Sequence, residues 1–393
     1  AAGPVGAAIV GPTVKGPVLT PTVVNSYGEY VRTFGELIQT GSDNYQYLTS
    51  HTAKEYLRQG GPLTVVRIAG NDTKRATANV DLTVGVSGSR NTIFTLEALG
   101  DGPQFNNFVG TGSALGTDQL LTPQINSATN KQFESGSFGG RSDNFRWEIS
   151  NQNTSKGTFT LLLRQGDDTS TKKKIIETHA NLSLDPESTD YILKRIGNQT
   201  NTVATEDGVA YLQPEGEFPN RSNYVRVKTL SKKTPNYLDE NGNLTDNALS
   251  ASLPSLGSGS YGGAFGDVNS GTKQTAGNFG SGEVAHPFGF YDNISSTNSQ
   301  GVNMSVSSAT VGTGGYKTAI SLLSNKDEYN FNLLILPGVV DQLANHSVVI
   351  GDAIQLCEDR GDCFLVYDNT SKTDTVATAK TNTEARNSSY AAA

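Results

Sequence analysis

The sequence predicts a mixed α+β protein, in which a discontinuous α/β domain is interrupted by a β-sandwich and by a further β/loop-rich insertion. Three observations predict it. Apolar strand runs alternate with helical patterns in residues 1–74 and again in 314–393. Residues 75–199 instead alternate apolar and polar side chains between Gly, Asn and Asp turns, which is typical of β-sandwiches. Residues 200–313 are rich in Gly, Ser, Asn and Thr.

Length and composition agree with this division. The chain has 393 residues, more than one hydrophobic core usually serves, so two or three domains are expected. Hydrophobic residues make up 35% and charged residues 17%, and the small polar residues that fill the difference suit strands, turns and loops. The net charge of −8 argues against a general nucleic-acid-binding surface. The one basic run, Lys172–Lys174 beside Asp167 and Asp168, is interpreted as a solvated turn or strand end.

The cysteines and the apolar runs indicate the cellular compartment in which the protein is made. Cys357 and Cys363 form no CxxC pair, and they are interpreted as reduced, partly buried thiols of a cytoplasmic product. No stretch approaches the roughly 18 apolar residues of a membrane-spanning helix, and no signal-peptide pattern is visible.

The first 70 residues predict three strands and two helices. The strands are short apolar runs at Ala7–Val10, Thr22–Val24 and Leu63–Ile68. A capping box of Ser26 and Glu29 opens the first helix, which ends at Gly35. A longer helix is predicted over 45–59, and Gly60 supplies its left-handed cap before the third strand.

The middle of the chain predicts strands without long helices. Period-2 runs occur at Ile93–Leu96, Phe145–Ile149, Thr158–Leu163, Ile175–His179 and Asn181–Pro186. A short helix at Tyr191–Ile196 closes this insert, and Val225–Val227 is a further candidate strand. The remainder of 200–313 is either a variable, surface-exposed excursion or a second small β domain. We favour the excursion, because exposed loops tolerate such composition.

The last segment returns to an α/β pattern. A strand over Phe331–Leu336 ends at Pro337-Gly338, a helix covers 341–359 and stops at Gly361, and a second strand covers Cys363–Asp368. A helix between two apolar strands predicts a right-handed parallel crossover. The apolar helix face comprises Leu343, Ile350, Ile354 and Leu356. The predicted core residues, whose polar substitution should unfold the chain, are Val65, Val66, Leu334, Ile335, Leu365 and Val366.

No catalytic, cofactor-binding or metal-binding residue is predicted. The sequence contains no GxSxG elbow, Gly-Lys-Ser/Thr loop or HExxH motif. A GxGxxG match at Gly257–Gly262 lacks the preceding strand and following helix of a nucleotide site. The scattered histidines are interpreted as ordinary surface or structural residues: His51, His179, His286 and His346.

Several carboxylates are further candidate site residues. Asp368 ends a parallel strand, where α/β sheets bind ligands, but a turn cap before Asn369 is the favoured interpretation. The pairs Asp167-Asp168 and Glu358-Asp359 show no pattern that would bury them, so both are interpreted as solvated charge.

Three stretches of the chain resemble contractile phage tail sheath proteins: the two terminal blocks and the end of the β-rich insert. The motifs of that family are matched, in order, by Ala7–Pro17, Ser26–Gly35, Gly60–Arg67, Phe159–Tyr191, Asn332–Gly338 (NLLILPG) and Arg386–Ala393 (RNSSYAAA). The resemblance implies that residues 1–74 and 314–393 fold together as the sheath core domain. It also implies that the chain is part of a longer subunit whose terminal arms are missing, so that 1–393 alone should be a soluble monomer that forms no tubes.

The resemblance further implies a structural, non-enzymatic role. Such subunits stack as six-fold rings around a tail tube protein, contact baseplate and tail terminator proteins, and contract to drive the tube through the host envelope for genome delivery. The expected location is the virion tail, after assembly in the host bacterial cytoplasm, with no nucleic-acid contact, membrane insertion or cofactor. The alternatives are the sheath of a bacterial contractile injection system or tailocin, and a β-rich tail adhesin or receptor-binding protein. An enzyme is the remotest alternative.

Overall fold

A computed structural model describes residues 6–40, 43–69, 75–82, 91–101, 145–166, 168, 171–261, 293–307, 312–371, 374–386 and 388–393. The chain divides into two compact units. The first unit takes in Ala1–Thr73, Thr202–Gln213 and Asn278–Ala393, and the second takes in Lys74–Asn201 and Pro214–Gly277. The described residues are mixed α and β, as the sequence predicted.

The first unit is built on a six-stranded sheet. Its strands are β1 (Ala7–Pro12), β2 (Thr22–Val24), β5 (Leu63–Ile68), β17 (Leu333–Val340), β18 (Phe364–Asp368) and β19 (Ala391–Ala392). Its helices are α1 (Tyr27–Phe34), α2 (Leu48–Gln59), α5 (Gly312–Leu322), α6 (His346–Arg360) and α7 (Val376–Ala385). It also contains two short hairpins, β3 (Ile38–Thr40) with β4 (Asp43–Tyr45) and β15 (Asn298–Ser299) with β16 (Val302–Asn303).

The sheet joins the two ends of the chain. Its order is β19-β18-β17-β1-β5-β2, so β1 lies between β17 and β5. Ala7 is in register with both Leu333 and Leu63, and both pairings are parallel. Only β2 runs antiparallel to its neighbour.

Alternate side chains of the strands feed two cores. Ala8 and Val10 of β1 enter a core with α5 and α6, whereas Ala7 and Ile9 enter a core with α1 and α2. This is the period-2 alternation of a sheet covered on both faces. The second core includes no buried residue of β18.

Most of the predicted core residues are buried, but one is not. Val65, Val66, Leu334 and Leu365 are fully buried, as predicted. The prediction that Val366 is a core residue is wrong, because Val366 is 42% exposed on the face of the sheet that α1 and α2 do not cover. Ile335 lies on the same face and is only partly buried.

The N-terminal helices follow their predicted signals with small shifts. Ser26 caps α1 by accepting the Glu29 N–H at 3.2 Å. The reciprocal bond of the capping box is displaced, since the Glu29 carboxylate accepts from Asn25, one residue before the cap. The α2 helix starts at Leu48 rather than at 45, because Asp43–Tyr45 forms β4. Gly60 ends it with φ +85° but with an extended ψ instead of the left-handed cap.

The C-terminal block also differs at its boundaries. The strand β17 continues through Pro337 and Gly338 to Val340, with a register shift against β18 after Ile335. The α6 helix begins at His346, five residues later than predicted, and ends at Gly361 in the left-handed conformation. Ile350 and Leu356 are buried on its apolar face, whereas Ile354 is partly buried and Leu343 precedes the helix.

The second unit is β-rich. Its strands are β6 (Arg75–Asp81), β7 (Thr92–Asp101), β8 (Phe145–Asn153), β9 (Thr158–Gln165), β10 (Ile175–Ser183), β13 (Val225–Leu230) and β14 (Gly257–Ser260), with short helices α3 (Ile192–Ile196) and α4 (Asn247–Ser250). One sheet has the order β10-β9-β8-β14 and the other β13-β7-β6, and both contribute to a single core. The runs predicted at Ile175–His179 and Asn181–Pro186 form one bulged strand, β10, which ends at Ser183.

The prediction of a surface-exposed excursion over 200–313 needs correction for its described parts. Val225 and Val227 are buried in β13, which pairs with β7. The hairpin of β11 (Thr200–Glu206) and β12 (Val209–Glu215) places Ala210 against the first unit's core, where its N–H donates to Ser321 Oγ. The buried residues are apolar side chains dispersed among Gly and Ser, so the average composition of the segment did not indicate them. The division into domains at 74, 199 and 313 remains a prediction.

Candidate functional site at the carboxyl ends of the central strands

The carboxyl ends of β1, β17 and β18 are the natural place to look for a site. In α/β sheets, ligands bind beyond the strand ends where the crossovers switch from one face to the other. Here α1 and α2 lie in the core on one face and α5 and α6 in the core on the other, so the switch falls between β1 and β17.

A glutamine from a distant segment fills this position. Gln300 is 3% exposed, its Nε2 donates to the Pro337 carbonyl at 2.9 Å, and its Oε1 accepts the Leu48 N–H at 2.7 Å. Leu48 is the first residue of α2, whose N-cap Tyr47 supplies no side-chain cap. Gln300 therefore caps the helix end at which α/β proteins often bind anions.

The backbone of β17 is shaped to accept this side chain. Gly338 has φ +81°, and a Cβ there would lie 2.5 Å from Gln300 Nε2. The Ser299 hydroxyl donates to the Gly338 carbonyl at 2.7 Å. A larger residue at 338 would displace Gln300 and uncap α2.

A buried histidine fastens the next turn. His346 is fully buried at the start of α6, and its Nδ1 accepts the Val340 N–H at 3.1 Å. The neutral ring therefore carries its proton on Nε2. Burial lowers the pKa of His346 to about 4. His346 is thus a structural residue that remains neutral at physiological pH.

An ion pair closes the same edge of the sheet. Asp341 follows β17 and is 4% exposed, and Arg386 grips both of its carboxylate oxygens at 2.9 Å and 2.6 Å. Arg386 also donates to the Ser347 carbonyl at 3.1 Å. A bidentate Arg–carboxylate pair is strong and directional, so it ties the RNSSYAAA block to the start of α6.

These polar groups are engaged with other parts of the first unit. Hydrogen bonds join each of four side chains to another segment of the first unit: Gln300, His346, Asp341 and Arg386. Among the residues that the structure describes, no group of three His, Cys, Asp or Glu side chains could hold a metal ion. The arrangement is suited to fastening segments, and sequence reasoning missed it, because its partners lie 45 and 252 positions apart.

The turn-capping role predicted for the Asp368 side chain falls to its neighbour Asn369. The Asp368 backbone carbonyl accepts the Asp341 N–H, and desolvation by the surrounding protein raises the pKa of its carboxyl. Asn369 is the buried turn residue, bonded to Gln342 at 3.0 Å and to Thr383 at 2.7 Å.

The GxGxxG match forms a strand. Residues Gly257–Ser260 are β14, antiparallel to β8. A Cβ on Gly259 would lie 2.7 Å from the Trp147 ring, so the glycine makes room for the indole. Tyr261 is buried and Gly262 lies outside the described residues.

The other histidines show separate surroundings. His51 is exposed on α2, and His179 Nε2 lies 3.1 Å from Glu177. His286 lies outside the described residues. Those described contribute to no common site.

A buried ionic network in the second unit corrects the interpretation of Asp168 as solvated charge. Asp168 is 5% exposed and is gripped by Arg164 at 2.7 Å and 2.9 Å. Arg164 also donates to Glu148 at 2.6 Å, and Lys173 donates to the other Glu148 oxygen at 2.5 Å. Burial opposes ionisation of Glu148, but the hydrogen bonds from Lys173 and Arg164 prevail and lower its pKa. Asp167 lies outside the described residues.

Other predicted surface charges are in place. Lys172–Lys174 is exposed just before β10, as predicted, and Glu358 and Asp359 are exposed on α6. Across the described ranges, no helix is long and apolar enough to span a membrane.

Comparisons with known proteins give two solved structures of interest. A sheath tail protein of Listeria innocua matches with a TM-score of 0.39 and 9% identity, over 93% of this chain and 48% of its own. A sheath tail protein of Desulfitobacterium hafniense matches with a TM-score of 0.31 and 10% identity, over 93% and 49%. The chain thus spans about half the length of either. With TM-scores below 0.5, these two matches establish neither the fold nor the function of this chain. No protein-family model and no curated protein matches the chain.

Proposed function

We propose that this chain is a structural subunit of a contractile tail sheath, which stacks in rings around a tail tube and shortens to drive the tube through a cell envelope. The observation that carries the proposal is the pairing of β1 with both β5 and β17. The sequence blocks that resemble sheath proteins come from opposite ends of the chain, and they meet in this one sheet.

The RNSSYAAA block supports the same role. Its Arg386 holds Asp341, its Ser388 hydroxyl donates to Glu358 at 2.8 Å, and its Tyr390 carbonyl accepts the Leu365 N–H at 2.9 Å. Ala391–Ala392 then forms β19 at the sheet edge. The conspicuous residues of the motif thus act as fasteners within a rigid body, as a subunit that moves as a unit requires.

The α7 helix supports a subunit that is covered by neighbours. None of its residues is buried, and Val376 at its start is 89% exposed. A helix with no buried face obtains little stability from its own chain, because most helical stability in proteins comes from packing. In the proposed assembly a neighbouring subunit covers α7.

Tube formation tests the proposal. The complete product of the gene that encodes this chain is purified and viewed by negative-stain electron microscopy. Striated hollow tubes are expected, and dispersed monomers under all salt and concentration conditions would overturn the proposal. Genome neighbours then separate a phage tail from a bacterial injection system.

A variant pair refines the test. Val376→Asp should leave the far-UV circular dichroism unchanged and reduce the yield of tubes, because the neighbour would bury an unpaired charge. Val376→Thr is the matched control and should assemble nearly as the wild type. Equal yields for both variants would exclude α7 from the subunit contact.

A further inference from the structure

The two cysteines of the chain lie side by side in the first unit. Cys357 is in the last turn of α6, Cys363 immediately precedes β18, and their Sγ atoms are 3.3 Å apart. Cys357 is fully buried and Cys363 is 5% exposed. The sulfurs need to approach by only about 1.3 Å to reach disulfide bond length.

The surrounding contacts hold the pair in this position. Gly361 turns the chain in the left-handed conformation, with its N–H bonded to the Cys357 carbonyl. Between the cysteines, the Arg360 guanidinium donates to the carbonyls of Leu323 and Tyr329 and lies 4.3 Å from the Phe331 ring centroid. The turn is therefore anchored on both sides, and it holds the two thiols 3.3 Å apart.

We propose that Cys357 and Cys363 are a redox modification site, at which a peroxide or a small disulfide converts the thiol pair into an intramolecular disulfide. The pair remains reduced in a reducing cytoplasm and closes in an oxidising medium. This inference depends on the geometry of the first unit alone, and it holds whatever the chain assembles with.

The two thiols have different roles in the reaction. The hydrogen bond to Cys357 lowers the pKa of Cys363, and the same contact, together with burial, raises the pKa of Cys357. The Cys363 thiolate attacks hydrogen peroxide, the O–O bond breaks, and a sulfenic acid and hydroxide form. The hydroxide takes up the proton that Cys363 released on ionisation and becomes the first water. The Cys357 sulfur then attacks the Cys363 sulfur, the S–O bond breaks, and the departing hydroxide takes the Cys357 proton as a second water. Two electrons pass from the thiols to the peroxide.

The sequence offers a sharp test by peptide mapping. Trypsin cleaves after Arg360, so Cys357 and Cys363 fall into separate peptides, residues 327–360 and 361–372. The 393-residue chain is treated with hydrogen peroxide, free thiols are alkylated under denaturing conditions, and the digest is analysed by mass spectrometry. The expected result is one pair of disulfide-linked peptides, which dithiothreitol separates. The oxidised chain should still migrate as a monomer on a gel without reductant.

Single variants test the order of events. Cys357→Ser should accumulate a Cys363 sulfenic acid that dimedone traps, whereas Cys363→Ser should leave Cys357 unmodified at the same peroxide dose. Circular dichroism checks that each variant is folded. The proposal is overturned if the wild-type chain keeps both thiols, forms only intermolecular disulfides, or oxidises Cys363 to sulfinic acid without a link to Cys357.

Discussion

His346 makes the stability of the first unit depend on pH in a defined window. Its ring is fully buried, and its Nδ1 accepts the Val340 N–H, so protonation would break this hydrogen bond and bury a charge. The unfolded chain protonates His346 at its ordinary pKa of 6.5, and the folded chain only near pH 4. Below about pH 6.5 the unfolded state therefore binds more protons, and stability is lost as the pH falls towards 4.

The size of the effect follows from this difference in pKa. The fall of the His346 pKa from 6.5 to about 4 on folding corresponds to about 3 kcal/mol of stability when its loss is complete. Between pH 7 and about pH 4.5, the loss assigned to His346 is about 2.5 kcal/mol. This is a large part of the stability of an ordinary domain.

Urea unfolding at several pH values measures this loss. Far-UV circular dichroism follows the whole chain, and the fluorescence of Trp147, the only tryptophan, follows the second unit separately. His346→Asn keeps an acceptor for Val340 but has no group that titrates here. The wild type should therefore lose about 2.5 kcal/mol more than His346→Asn over this pH range.

An exposed histidine of the same unit provides the control. His51→Asn should retain the pH dependence of the wild type, because His51 is exposed on α2. Parallel stability curves for the wild type and His346→Asn would refute the reasoning, since other titrating groups would then account for the whole dependence.

Two further substitution pairs test packing. Gly197→Ala should destabilise the second unit by about 3 kcal/mol or more, because the φ of Gly197 is +101° and a Cβ would lie 2.3 Å from Asn220 Cα. Gly242 has a similar φ of +79° but faces open space, so Gly242→Ala should cost only about 1 kcal/mol. Trp147 fluorescence in urea compares them, and equal costs would contradict the assigned close approach. Leu365→Ala should cost about 2–5 kcal/mol and Val366→Ala less than about 1 kcal/mol, since the first is fully buried and the second 42% exposed. A reversed order in urea unfolding by circular dichroism would place the opposite face of β18 in the core.

Local patterns in the sequence were sufficient for many elements. Leu63–Ile68 became β5 because a continuous apolar run between turn residues has few other solutions. Gly361 ends α6 as predicted, since glycine adopts the left-handed conformation at φ +69° without a steric penalty. Boundaries were less certain: Pro337 and Gly338 read as a strand end, yet a register shift lets β17 continue through them.

The candidate site was not predictable from local patterns. Gln300 and Leu48 are 252 positions apart, and nothing near either residue indicates the hydrogen bond that joins them. The pairing of Asp341 with Arg386 is hidden for the same reason. Val366 lies in an apolar run that suggested burial on both faces, but the cover of a sheet face depends on where distant helices pack.

Cryo-electron microscopy of the complete gene product tests the central claim most directly. A sheath subunit should form hollow tubes of stacked rings in a long narrow form and a short wide form. In both, the subunit should keep β1 between β17 and β5 as an unchanged rigid body. Particles that remain monomeric, or a single filament form with no second state, would contradict the proposal that this chain belongs to a contractile sheath.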